Sequence, residues 1–124
     1  MVVNKMIELL GARVVLEGNY LDCDIESCFC SDLMSDVLAF VNESTVLITG
    51  LTNPHVVRTS EMLDLKCIIF VRGKIPPENV IEEAEDLGIT VLSTDLTAFI
   101  TCGILYGAGL RGVTIQRNEH GGIV

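Results

Sequence analysis

The 124-residue chain has no tryptophan, two tyrosines (Tyr20 and Tyr106), three prolines and only eight basic residues. Each shortage narrows what the chain can be. With so few aromatics in a sequence that is 49% hydrophobic, the core must be aliphatic, built from Val, Ile, Leu and Met. Eight Lys and Arg against seventeen Asp and Glu leave a net charge of -9. No basic cluster offsets it, so a polyanion is repelled and nucleic-acid binding is disfavoured. The longest apolar runs, such as residues 67–71, fall far short of the ~20 residues a membrane-spanning helix needs. Residues 1–10 carry Lys5 and Glu8 inside their apolar pattern and lack a continuous signal-peptide core, which points to the cytoplasm. The length suits a single domain able to bury about two-thirds of its unfolded surface without a disulfide or metal staple. Five cysteines form an odd set and fit a disulfide framework poorly in a reducing compartment. Cys67 and Cys102, in apolar surroundings, read as buried small hydrophobes.

The hydrophobic pattern is regular. Val2, Val3, Met6, Leu9 and Leu10 fall at helical spacing, with Gly11 as a C-terminal stop. Residues 13–16 form a short β-branched run, and residues 21–30 read as extended. Ser31 is the expected N-cap of a helix carrying Leu33, Met34, Val37, Leu38 and Val41, with Asp32 at the positive end of its dipole. Residues 45–49, 66–71 and 89–92 are continuous apolar runs, each followed by a loop and a helix. Asn53 caps the first of these helices with Pro54 at its first position. Pro76 and Pro77 open the second, ended by Gly88. Ser93, Thr94 and Asp95 are expected to cap the third, which runs to about Tyr106 before Gly107 and Gly109. Alternating buried strands and helices predict a three-layer α/β/α fold with a mostly parallel central sheet. Right-handed crossovers then bring the strand-to-helix loops to one edge. Residues 1–112 read as one domain and 113–124 as a short strand, residues 113–116, with a flexible tail.

The stretch LDCDIESCFCSDLMSDVL, residues 21–38, resembles the core of the DRTGG domain. There an extended segment leads into a helix start like Ser31-Asp32-Leu33-Met34-Ser35-Asp36. The likeness continues through residues 46–57, 68–70, 88–94 and 103–110. The sequence departs from the family where the family takes its name: Cys23 stands in place of the Arg, and Ser27 and Cys28 in place of the two glycines. The resemblance implies a fold similar to the N-terminal domain of HPr kinase/phosphorylase. It also implies a regulatory or scaffolding module, often a homodimer, without kinase activity of its own.

Catalytic constellations are absent from the sequence. The phosphate-binding pattern G-x-x-x-x-G-K-[ST] is missing, since Gly73-Lys74 is followed by Ile75. Nucleophilic catalysis needs a base beside the nucleophile, and only His55 and His120 are available. His55 stands in a helix's first turn at the loop edge, where a polar residue is more often a solvated surface group than a functional one. Cys23, Cys28 and Cys30 fit no familiar zinc or cluster spacing, so no metal and no cofactor is expected. Asp32 and Asp36, one turn apart on the expected helix, either contact a ligand together or serve as dipole partner and solvated surface. The candidate ligand-binding set is Ser31, Asp32 and Asp36; Thr49, Gly50, Thr52, Asn53 and His55; Arg72, Gly73 and Lys74; and Ser93, Thr94 and Asp95. In open α/β sheets ligands bind outside the carboxyl ends of the strands, where helix starts supply free N–H groups. Arg72 and Lys74 suggest a small anionic ligand such as a nucleotide. The competing expectation is an assembly module that binds a partner protein or a second copy through its N-terminal helix or the helix at residues 31–41.

Overall fold

The computed structural model describes residues 1–115. The chain runs α1 (Val3–Leu10), β1 (Arg13–Leu16), β2 (Ser27–Cys30), α2 (Met34–Phe40), β3 (Thr45–Thr49) and α3 (Pro54–Leu63). It continues through β4 (Cys67–Phe70), α4 (Glu78–Asp86), β5 (Thr90–Ser93), α5 (Ala98–Gly107) and β6 (Arg111–Gly112). The six strands form one sheet in the order β1-β5-β4-β3-β2-β6. All pairings are parallel except that of β1 with β5, which is antiparallel and bulged between Val14 and Leu16. The expected mostly parallel three-layer α/β/α architecture is therefore what the chain adopts.

The central strands β3, β4 and β5 are buried along their whole length. Because successive side chains point to opposite faces, each strand feeds two cores. Val46, Ile48, Cys67, Ile69 and Leu92 pack with Val3, Met6 and Leu10 of α1 and Leu105 of α5. Leu47, Ile68, Phe70 and Val91 pack with Val37 of α2, Val56 and Val57 of α3, and Val80 and Ala84 of α4. Removing these side chains from water is worth roughly 1.5–3 kcal/mol each, which is what holds the layers together. The apolar stripe of α1 faces this core, so the expectation that α1 offers an assembly surface is not met: Val3, Met6 and Leu10 are buried.

Three expected helix starts differ from the structure or match it for a local reason. Asn53 accepts from the His55 amide at 3.0 Å and caps α3 as read. α2 begins at Met34, not at Ser31. Ser31 Oγ accepts from the Leu33 amide at 3.0 Å, a side-chain turn that precedes the helix without capping it. α5 begins at Ala98, capped by Thr97, whose Oγ1 accepts from the Ile100 amide. Ser93 belongs to β5, and the Thr94 hydroxyl is engaged by Leu10 and Leu96, so neither is free to cap. The last strand also lies earlier than expected. It is Arg111–Gly112, paired with Ser27 and Cys28, and the Val113 amide adds one more bond to Cys28 O at 3.1 Å. Residues 113–115 are outside any strand, while Gln116, His120 and the expected flexible tail lie outside the described residues.

Candidate functional site

Parallel order brings the ends of β2, β3, β4 and β5 to one rim. The loops are tied to one another by main-chain hydrogen bonds. The Val71 amide donates to Thr49 O at 3.1 Å, the Arg72 amide to Leu96 O at 2.8 Å, and the Gly73 amide to Thr94 O at 2.8 Å. Ser93 Oγ adds a bond to Lys74 O at 2.8 Å. The turn after β4 is tight: Arg72 and Gly73 both take left-handed φ values, 56° and 67°. For arginine that conformation is uncommon and persists only where its surroundings hold it.

Asp32 organises one half of the rim. Its Oδ1 accepts from Thr49 Oγ1 at 2.8 Å and from the Gly50 amide at 2.9 Å. Those two bonds stabilise the charged form and hold the carboxyl below its ordinary range, with a smaller pull from the Arg72 guanidinium. Asp32 therefore does not sit on α2, and the expectation that Asp32 and Asp36 present their carboxylates from one helical turn fails. The loop after β3 draws Asp32 away, whereas Asp36 stands half-buried in the first turn of α2.

The second half gathers around Gly73. A Cβ added there would stand 3.0 Å from Asp95 Oδ1 and 3.7 Å from Arg13 Nη2. Asp95 and Arg13 form an exposed ion pair at 3.1 Å. Arg72 reaches across to the first half: a Cβ on Gly50 would stand 2.5 Å from its Nη2. Among the described residues neither Arg72 nor Lys74 has an ion-pair partner. Thr52, Asn53 and His55 stand at the start of α3 on the same edge, and the side chains of Thr52 and His55 make no hydrogen bond to the others. Arg13, on the antiparallel edge strand, is a rim cation that the sequence pattern did not mark. Its place depends on β1 pairing back onto β5, which periodicity alone does not show.

A second feature lies on the α5 side of the sheet. Cys28, Cys30, Phe99, Cys102, Tyr106 and Leu110 are among the residues around an apolar pocket of about 380 Å³. Cys28 and Cys30 line the same pocket wall, and they meet Cys102. Cys67 is buried as expected, but Cys102 is half-buried in the pocket wall. Hydrogen bonding to Cys102 together with desolvation pushes the Cys30 thiol up, and bonding to Cys28 does the same for Cys102. Among the described residues no group of three or more His, Cys, Asp or Glu is arranged to hold a metal ion. Among the same residues, no helix is long and apolar enough to cross a membrane.

These elements define a small three-layer α/β/α domain whose strand ends form a polar rim. The chain belongs to the DRTGG domain family, whose pattern it matches over residues 5–108. Among solved structures it is similar to the CBS and DRTGG domains of the regulatory region of Clostridium perfringens pyrophosphatase, complexed with its activator, diadenosine tetraphosphate. The TM-score is 0.65 at 17% identity, covering 84% of this chain and 45% of that one. The chain thus spans less than half of that regulatory region. No curated protein matches the sequence.

Proposed function

We propose that this DRTGG domain is a non-catalytic, cytoplasmic regulatory module that takes a small anionic ligand, such as a nucleotide, on the rim. The observation that carries the reading is the pair Arg72 and Lys74. In a chain of net charge -9, two of eight basic residues project from one turn without an ion-pair partner among the described residues. They stand at the carboxyl ends of the parallel strands, where ligands bind in open α/β sheets. The Gly50, Arg72 and Gly73 amides are bonded within the rim, so the two cations, not free amides, would hold the anion. Asp32 orders Thr49 and Gly50, and Arg72 lies over that glycine, so the cationic side chain has a defined resting place. The regulatory setting of the pyrophosphatase domains, in a complex with a dinucleoside polyphosphate, supports the same class of ligand.

Thermal unfolding with nucleotides and inorganic phosphate tests the reading. A nucleotide at about 100 times its Kd stabilises a single-site protein by about 2.7 kcal/mol, a rise of about 10 °C in a domain of this size. The combined substitution Arg72→Ala and Lys74→Ala is expected to remove that rise. No stabilisation across mononucleotides, dinucleotides and phosphate contradicts it.

Homodimerisation belongs to the same reading, because the family resemblance implies it and the outer surface of α5 supports it. A purely assembling module remains the second reading, favoured by that same apolar surface.

A further inference from the structure

α5 breaks the rule that a surface helix keeps one polar face. Its sequence, AFITCGILYG, is apolar almost all round, the character of a helix covered on every side. Only Thr101 and Leu105 are buried within the chain. Phe99 is 86% exposed, Tyr106 62% and Ile100 46%. Residues 96–110 contain no charged side chain, in a protein that carries seventeen acids elsewhere and around it.

We propose that α5 is the face on which two copies of this chain meet, packed antiparallel about Gly103. The proposal rests on the homodimer reading above and assigns it a surface. Two arguments select a second copy over another partner. The first is charge. Identical copies of net charge -9 repel across most of their surfaces, and the uncharged segment from 96 to 110 is where they approach without that cost. The second is symmetry. A two-fold contact places the same patch on both partners, so the patch must complement its own reversal. Phe99 lies four residues before Gly103 and Tyr106 three after, all on one helical face. An antiparallel crossing at Gly103 sets Phe99 of one copy beside Tyr106 of the other. The charged groups that border the segment are engaged within the chain: Asp95 pairs with Arg13 at 3.1 Å, and the Arg111 guanidinium lies 4.5 Å over the Tyr106 ring. A Cβ at Gly103 or Gly107 would meet nothing within 4 Å, so both positions leave room for a second backbone to come close. The ten residues of α5 span about 15 Å. Each partner of a stable pair covers about 800 Å², and the neighbouring pocket walls around Cys28, Cys30 and Gly112 extend the apolar area beyond the helix.

Sedimentation equilibrium on the full chain tests this. The wild type is expected at twice the 13.5 kDa chain mass. Two variants are expected at the single-chain mass with unchanged circular dichroism: Phe99→Glu with Tyr106→Glu, and separately Gly103→Arg, whose side chain enters open space. Leu38→Glu, on the exposed side of α2, is expected to remain a dimer. A monomeric wild type overturns both the homodimer reading and this face. A dimer that survives both α5 changes, or dissociates with Leu38→Glu, overturns the face while leaving the homodimer reading intact.

Discussion

The guanidinium of Arg72 lies across Gly50, close enough that one added methyl would stand 2.5 Å from its Nη2. The loops after β3 and after β4, already tied by the bond from the Val71 amide to Thr49 O, are thereby also brought into side-chain contact. The absence of a Cβ at residue 50 and the reach of residue 72 are two halves of one arrangement.

Gly50→Ala is therefore expected to displace Arg72 with little effect on folding. The group in the way is the far end of a flexible side chain, and Gly50 is not in a left-handed conformation. Stability should stay within about 0.5 kcal/mol of wild type, as for most surface changes. Nucleotide-induced stabilisation should fall together with it. Thermal unfolding with and without ligand reads both quantities.

Asp32→Ala removes the acceptor that the Thr49 hydroxyl and the Gly50 amide share. The loss should be about 1 kcal/mol at neutral pH, held down by the exposure of the carboxylate. The folded-state pKa is lowered, so this stabilisation is fully present above the unfolded value of about 3.9. It disappears as pH falls through the folded value. The difference between wild type and variant should accordingly begin to narrow below about pH 4 and keep narrowing as pH falls further, so it should be smaller at pH 3 than at pH 7 in denaturant titrations.

Gly18→Ala is expected to be far more damaging than Gly50→Ala. Gly18 has φ 56°, and a Cβ there would stand 2.5 Å from the backbone oxygen of Gly88. That oxygen also accepts from the Asn19 amide at 2.9 Å, so the turn cannot shift without losing the bond. Left-handed strain and a backbone clash together should cost about 2 kcal/mol or more. Urea midpoints of the two alanine variants, compared side by side, check the ranking.

Thiol chemistry gives an independent probe of the layers. Cys67 is fully buried in β4 and its thiol is pushed well up by desolvation, so alkylation should reach it only on unfolding. Cys30 is exposed, yet its bond to Cys102 keeps it protonated, and it should label more slowly than free cysteine. Mass spectrometry after timed alkylation resolves both. Rapid native labelling of Cys67 contradicts the buried parallel sheet.

Much of this architecture is legible in the chain because a strand covered on both faces must be apolar without interruption. Residues 45–49, 67–70 and 90–93 are such runs, and the glycine and proline signals around α3 and α4 mark their ends. The helix starts at Ser31 and Ser93 misled because capping is a local pattern overridden by tertiary bonds. Asp32 is drawn to Thr49 and Gly50, and Thr94 is taken up by Leu10 and Leu96. The antiparallel place of β1 and the pairing of β6 with β2 involve residues up to about eighty positions apart, which no periodicity encodes. The rim follows from the parallel order of the strands. The contacts within it, Arg13 with Asp95 and Arg72 over Gly50, are made by side chains reaching between loops and carry no local sequence signal.

The central claim is that the strand ends form an anion site, and amide chemical shifts test it residue by residue. With labelled protein and added diadenosine tetraphosphate or a mononucleotide, the Gly50, Gly73 and Asp95 amides should move in a saturable way, while Gly103 and Gly112 stay in place. Shifts confined to the α5 side, or none at all at saturating nucleotide, would contradict the account.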